Sequence, residues 1–220
     1  MAAQAAEDAA LDARCAANPR EAANYAAGLR RIPHALKVKL LFNSALDNLA
    51  TLVRLLLADG LSPSTPYPEQ GSGSLLHFAA QNRAIDVVRV LLEAGADANS
   101  CDNLGNTPLQ AAVTFGKLAC ARELIPHTDL RIFNAFGNNV LHASIIGNQP
   151  EIFKLLLPHF ADNIDVRTFK KSLPADPEDP YNSTPLLLAC TGGYHAMVKA
   201  LLAAGSLLST LLLKKVTWPV

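Results

Sequence analysis

Aromatic residues are scarce in this 220-residue chain, at 6%, although half of its residues are apolar. Its packing must therefore rest on Ala, Leu and Val rather than on large rings. Cysteine is scarce too. Cys15, Cys101, Cys120 and Cys190 are scattered without a C-x-x-C pair, which gives neither a disulfide framework nor zinc-ligand spacing and suits a reducing compartment. Neither sign of charge is in excess, with 19 Lys plus Arg against 19 Asp plus Glu, so electrostatics give no reason to expect nucleic acid or an anionic membrane as the main partner. Long hydrophobic runs are absent as well: Ala200 to Leu213 is 14 residues, too few to span a bilayer. Glu7, Asp8 and Asp12 interrupt any signal or transit pattern at the N-terminus. The expectation is a cytoplasmic or nuclear protein without a membrane span.

What the chain does have is a repeat. Thr107-Pro108-Leu109 lines up with Ser74-Leu75-Leu76 at 107 − 74 = 33, and with Asn139-Val140-Leu141 at 139 − 107 = 32. Thr184-Pro185-Leu186 follows at 184 − 139 = 45, about 12 residues longer than the others. Periods of this size mark stacked structural repeats. Ser74, Thr107, Asn139 and Thr184 are short polar residues suited to cap a helix N-terminus. Pro108 and Pro185 then stand at the first helical position, where a missing N–H costs nothing. Small residues follow (Ala79-Ala80, Ala111-Ala112, Ala143-Ser144, Ala189-Cys190) and let neighbouring helices approach closely. Breaks at Gly116, Gly147-Asn148 and Gly192-Gly193 lead into second helices with apolar stripes such as Val87, Val88, Val90, Leu91 and Leu92. Gly95 and Gly205 suit left-handed helix ends.

The stretch "SLLHFAAQNRAIDVVRVLLEAGADANSCDNLGNTPLQAA" resembles the ankyrin repeat, with its T-P-L-H-x-A-A start, V-V-x-x-L-L-x-x-G-A-D middle and D-x-x-G turn. The resemblance implies an all-α solenoid of stacked helix-turn-helix units joined by hairpin-like turns. It covers residues 38–206, with units near 39–73, 74–106, 107–138, 139–183 and 184–206. The first unit is degenerate, with Lys39 where a cap should stand, and should form the N-terminal end of the stack. The third and fourth units end in Pro126-His127 and Pro158-His159 rather than G-A-D, so their second helices should stop early. The insertion at 167–180, rich in Pro and charge, should form a loop on the hairpin side. The tail at 207–220 fits no sixth repeat and supplies no polar cap. A truncated or alternatively spliced end is the expectation there, with self-association through 207–213. The Ala-rich residues 1–37 should form either a packed pair of short helices or a partly disordered arm.

Little in the sequence points to catalysis, and neither a cofactor nor a metal is expected. His77 and His142 fall at the T-P-L-H position, where the resemblance implies a hydrogen bond between turns. His127 and His159 recur near the ends of second helices, where a cation suits the helix dipole. Cys190 and His195 have no third ligand or base beside them. The "GSGS" at 71–74 lacks the lysine and preceding strand of a phosphate loop. Asp176, Glu178 and Asp179 lie in the insertion, where Asp179 matches the turn aspartate of the repeat; Lys170-Lys171 beside them make a weak case for nucleic acid.

The resemblance implies that partners bind along a concave surface, through positions flanking the turn glycine and just before the mid-repeat break. Those positions are Gln81 and Asn82 in the second unit; Asn103, Leu104, Asn106, Thr114 and Phe115 in the third; Ala135, Phe136, Asn138 and Ile146 in the fourth; and Pro180, Tyr181, Ser183 and Thr191 in the fifth. Leu104 and Phe136 admit a second role, packing against neighbouring turns. A contiguous apolar stripe on a charged surface marks an interface, so the expected function is a non-catalytic protein-interaction module: an adaptor, scaffold or regulatory subunit. The alternative is a sensor or targeting fragment of a larger enzyme or channel.

Overall fold

The structure, a computed structural model, describes residues 10, 12–65, 73–168 and 183–205. The tail at 207–220 and all but the first two residues of the insertion lie outside the described residues.

Eleven helices are named here in chain order: α1 (Pro19–Leu29), α2 (His34–Leu46), α3 (Ala50–Ala58), α4 (Leu75–Gln81), α5 (Ile85–Glu93), α6 (Pro108–Thr114), α7 (Leu118–Leu124), α8 (Val140–Ile146), α9 (Pro150–Leu156), α10 (Pro185–Thr191) and α11 (His195–Ala203). No strand occurs among the described residues. From α2 onward the helices alternate between two layers. The inner helices α2, α4, α6, α8 and α10 pack each on the next, and so do the outer helices α3, α5, α7, α9 and α11. One apolar core runs through all five pairs, from Leu41 and Val53 through Leu91, Leu109 and Leu141 to Leu201.

Four inner helices have seven residues each, and the sequence dictates both ends. At the start, Thr107 Oγ1 accepts from the Gln110 N–H at 3.3 Å, Asn139 Oδ1 from the His142 N–H at 3.1 Å, and Thr184 Oγ1 from the Leu187 N–H at 3.2 Å. Each cap contributes about 1 kcal/mol. Two residues beyond the end, the chain turns through a left-handed residue. That position holds Asn48, Arg83, Gly116, Asn148 and Gly193 in the five units, all at positive φ. The tight break sends the outer helix back antiparallel to the inner one.

The first unit departs from this plan. Its inner helix does not begin at Lys39 but runs on N-terminally to His34, for 13 residues in all. No polar side chain caps it; Pro33 occupies that end instead. The extension is clamped where Lys37 meets Asp59, whose side chain is only 8% exposed. The Ala-rich segment adopts the packed arrangement over its described part. Residues 12–17 are helical, Cys15 and Leu29 are buried, and α1 lies against α3. Asp12 Oδ1 accepts from the Leu52 N–H at 2.7 Å, which caps the outer helix α3 from a segment 40 residues away. Leu49, the residue preceding α3, has no side chain able to do so.

The second helices of units three and four do stop early, at Leu124 and Leu156, and tighten into 3-10 turns over Ile125–His127 and Leu157–Asn163. Pro126 and Pro158 remove the N–H groups that would continue the α-helix.

Candidate functional site

Two features position the candidate surface: the turns that join units, and the ends of the inner helices. In the turn that precedes α6, Asp102 Oδ1 accepts from the N–H groups of Leu104 and Asn106, both at 2.8 Å. In the next turn Asn134 Oδ1 does the same for Phe136 and Asn138, both at 3.0 Å. The two turns are then tied together. Ala135 N–H donates to the Leu104 carbonyl at 2.7 Å, and Asn134 Nδ2 donates to Asn106 Oδ1 at 2.9 Å.

A second line of bonds runs beneath the turns. Ser74 N–H donates to His77 Nδ1 at 3.1 Å, so the ring proton sits on Nε2, which donates to the Asn106 carbonyl at 2.8 Å. His142 Nε2 reaches the Val166 carbonyl at 3.0 Å in the same way. In unit three Gln110 takes this role: its Oε1 accepts from Thr107 N–H at 2.9 Å while Nε2 donates to the carbonyls of Asn138 and Ile132 at 2.9 and 3.2 Å. Burial lowers the pKa of His77 and pushes that of His142 down to about 4, against the opposite pull of the backbone carbonyls each ring contacts. Both histidines are structural, as their position in the repeat implied.

Fixing the backbone in this way leaves particular side chains outward. Leu104 is 50% exposed, Phe115 55%, Phe136 56% and Ile146 54%; the next turn engages Leu104 through its carbonyl, and the Phe136 N–H is held within its own turn by Asn134. Asn82, Asn103, Thr114, Ala135 and Thr191 are exposed with them, and Gln81 is half-buried. Thr114 and Thr191 hydroxyls donate to carbonyls of their own helices, at 2.9 Å to Gln110 and 3.0 Å to Leu187.

Other expected positions differ. Ser183 is buried and is not part of a surface; its N–H donates to Thr168 Oγ1 at 2.9 Å and its carbonyl accepts from Thr168 N–H at 3.0 Å. Asn106 and Asn138 are half-buried, and the Asn106 side chain is committed to Asp102 and Asn134. Pro180 and Tyr181 lie outside the described residues. Leu46, at 45% exposure, was missed. It stands two residues before Asn48 just as Ile146 stands two before Asn148, so the repeat offset carries the signal.

Among the described residues no group of three His, Cys, Asp or Glu side chains could hold a metal ion, and no helix is long and apolar enough to cross a membrane. Cys190 and His195 are both exposed, and the buried Cys120 thiol has its pKa raised by burial, away from nucleophilic use.

The family model described as ankyrin repeats matches this chain in three overlapping copies, over residues 38–134, 76–168 and 124–210. The chain belongs to the ankyrin repeat family. It is 30% identical over 158 residues to the Neurogenic locus Notch protein of Drosophila melanogaster, an alignment covering 72% of this chain and 4% of that protein. It is 30% identical over 132 residues to the putative ankyrin repeat protein YahD of Escherichia coli K12, covering 57% of this chain and 60% of YahD. With the E3 ubiquitin-protein ligase KEG of Arabidopsis thaliana it shares 37% identity over 93 residues, 41% of this chain and 6% of the ligase. In none of these alignments does the chain span two thirds of its relative. Ankyrin repeats are protein–protein interaction modules, so protein partners are implied for this one.

Proposed function

We propose that this chain is a non-catalytic recognition module, an adaptor, scaffold or regulatory subunit, that binds a protein or peptide along the face made by its turn tips and inner-helix ends. The observation that carries the reading is the placement of Leu104, Phe115, Phe136 and Ile146. Each is half or more exposed, and all lie between residues 104 and 146, on consecutive units. The turns that carry Leu104 and Phe136 are tied to each other, and Phe115 and Ile146 stand at the ends of inner helices, so a partner meets a surface with little ordering left to lose. Two phenylalanines among them supply large apolar anchors of the kind that dominate interface energetics.

A second reading, the recognition part of a larger enzyme or channel, draws support from the small share of Notch and KEG that aligns with this chain. Both readings place recognition on the same face. The test is capture of proteins from cell lysate by the intact chain and by a variant carrying Leu104→Ser, Phe115→Ser, Phe136→Ser and Ile146→Ser. Circular dichroism establishes that the variant folds. Loss of the captured proteins from the variant supports the reading; the same proteins on both baits reject it.

A further inference from the structure

On the outer layer, between α5 and α7, lies an open groove of about 770 Å³. Its charged lining consists of Arg83, Arg89, Lys117, Arg122 and Glu123, and its apolar walls include Ile85 and Leu118. Arg89 is neutralised in place, by Glu123 at 3.1 Å and Asp86 at 3.5 Å. Arg83, Lys117 and Arg122 have no ionic partner among the described residues. Three uncompensated cations thus converge on one cleft of a protein whose formal net charge is zero.

Arg83 adds an independent observation. It occupies the left-handed position at φ 64°, where the other four units use Asn or Gly. Those residues tolerate this backbone, whereas an arginine there is strained. The side chain is exposed and makes no hydrogen bond within the described fold. The fold bears the strain and gains no side-chain hydrogen bond or ion pair in return, a pattern that points outward to a ligand.

We propose that this groove docks an acidic peptide segment of a partner protein, with its carboxylates on Arg83, Lys117 and Arg122 and an apolar side chain against Ile85 and Leu118. The cleft is far larger than one phosphate and presents no buried donor to hold one. A nucleic-acid backbone needs a continuing basic track, but the adjoining cleft mixes Glu93 and Glu123 with Arg89 and His127, and Arg89 is paired with Glu123. A short run of acidic residues fits the charge and the length of the site.

The test is selection of a random dodecapeptide library on the intact chain, followed by titration of the winning peptides. Asp and Glu should be enriched in the selected pool. Arg83→Asn, Lys117→Gln and Arg122→Gln together should weaken those peptides at least tenfold, whereas Arg20→Gln, Arg31→Gln and Lys154→Gln, which remove the same charge elsewhere, should not. Arg83→Asn alone should weaken binding while leaving the thermal midpoint equal or higher, which separates a ligand contact from a structural one. A pool without acidic enrichment, acidic peptides held equally by the groove variant, or displacement by a single-stranded oligonucleotide more readily than by a second acidic peptide would overturn the proposal.

Discussion

Ala135 N–H donates to the Leu104 carbonyl oxygen at 2.7 Å, joining the tips of two consecutive turns. This bond depends on the absence of a side chain at Gly105, which sits at φ +73° and where a Cβ would lie 3.1 Å from the Ala135 nitrogen. Gly105→Ala should therefore cost about 2 kcal/mol, from left-handed strain and from prising the turns apart. Leu104→Ser, which alters only an exposed side chain on the same turn, should stay within about 0.5 kcal/mol. Urea unfolding of the two variants checks both values, and equal losses would show that the Leu104 side chain packs structurally.

Gln110 is buried to 1% exposure and its side chain is bonded to Thr107, Ile132 and Asn138. Gln110→Ala should lose about 3 kcal/mol because it removes the side-chain partner of the buried Thr107 N–H and of the Ile132 carbonyl, while the Asn138 carbonyl keeps only the Asn134 N–H. Gln110→His, the residue found at 77 and 142, should recover more than half of that loss. Denaturant midpoints of the three proteins decide it.

His142 makes the fold sensitive to acid. Its pKa is lowered by burial to about 4 from 6.5, so the folded state disfavours the proton that the unfolded chain accepts. The sign follows directly: this stability is fully present above about pH 6.5, falls as pH is lowered, and is gone once pH passes below the folded value near 4. The loss across that window is roughly 3 kcal/mol. His77 is shifted in the same direction by burial and adds to it. Thermal midpoints measured from pH 7 to pH 4 should drop for the intact chain and drop less for His142→Gln.

The Ala-rich N-terminal segment acts on the stack through Asp12, which caps α3 at Leu52. Asp12→Ala should destabilise the protein by about 1 kcal/mol, and Asp12→Asn by much less, since an amide oxygen still accepts the bond. Hydrogen exchange at the Leu52 amide is the local readout, and unchanged protection in Asp12→Ala would contradict it.

Much of the fold was legible because the repeat writes its rules locally. A capping residue at 107, 139 or 184 and a turn two residues beyond the same helix define a unit without reference to anything distant. The misses arise where the rule is written differently or from afar. Arg83 and Asn48 adopt the left-handed turn without being glycine, so composition gave no signal, although counting 33 residues back from Gly116 lands on Arg83. Lys39 looked like a failed cap, but the helix passes through it because residues 34–38 continue the helical pattern and Lys37 finds Asp59. The Asp12 cap joins residues 40 apart and cannot be seen in a local window. Among candidate site residues, offsets from the turn glycine place Leu104 and Phe136 outward and offsets from the mid-repeat break place Phe115 and Ile146 outward; the pattern fails at Ser183, where pairing with Thr168 buries the residue.

The most direct test of recognition along the inner face is site-specific photocrosslinking. Benzoylphenylalanine is placed singly at positions 104, 115, 136 and 146, and at the outer-layer positions 54 and 154, and each protein is illuminated in lysate. The account predicts the same crosslinked partner from the four inner positions and none of it from Arg54 or Lys154. Crosslinks to that partner from the outer positions alone would place recognition elsewhere and contradict the account.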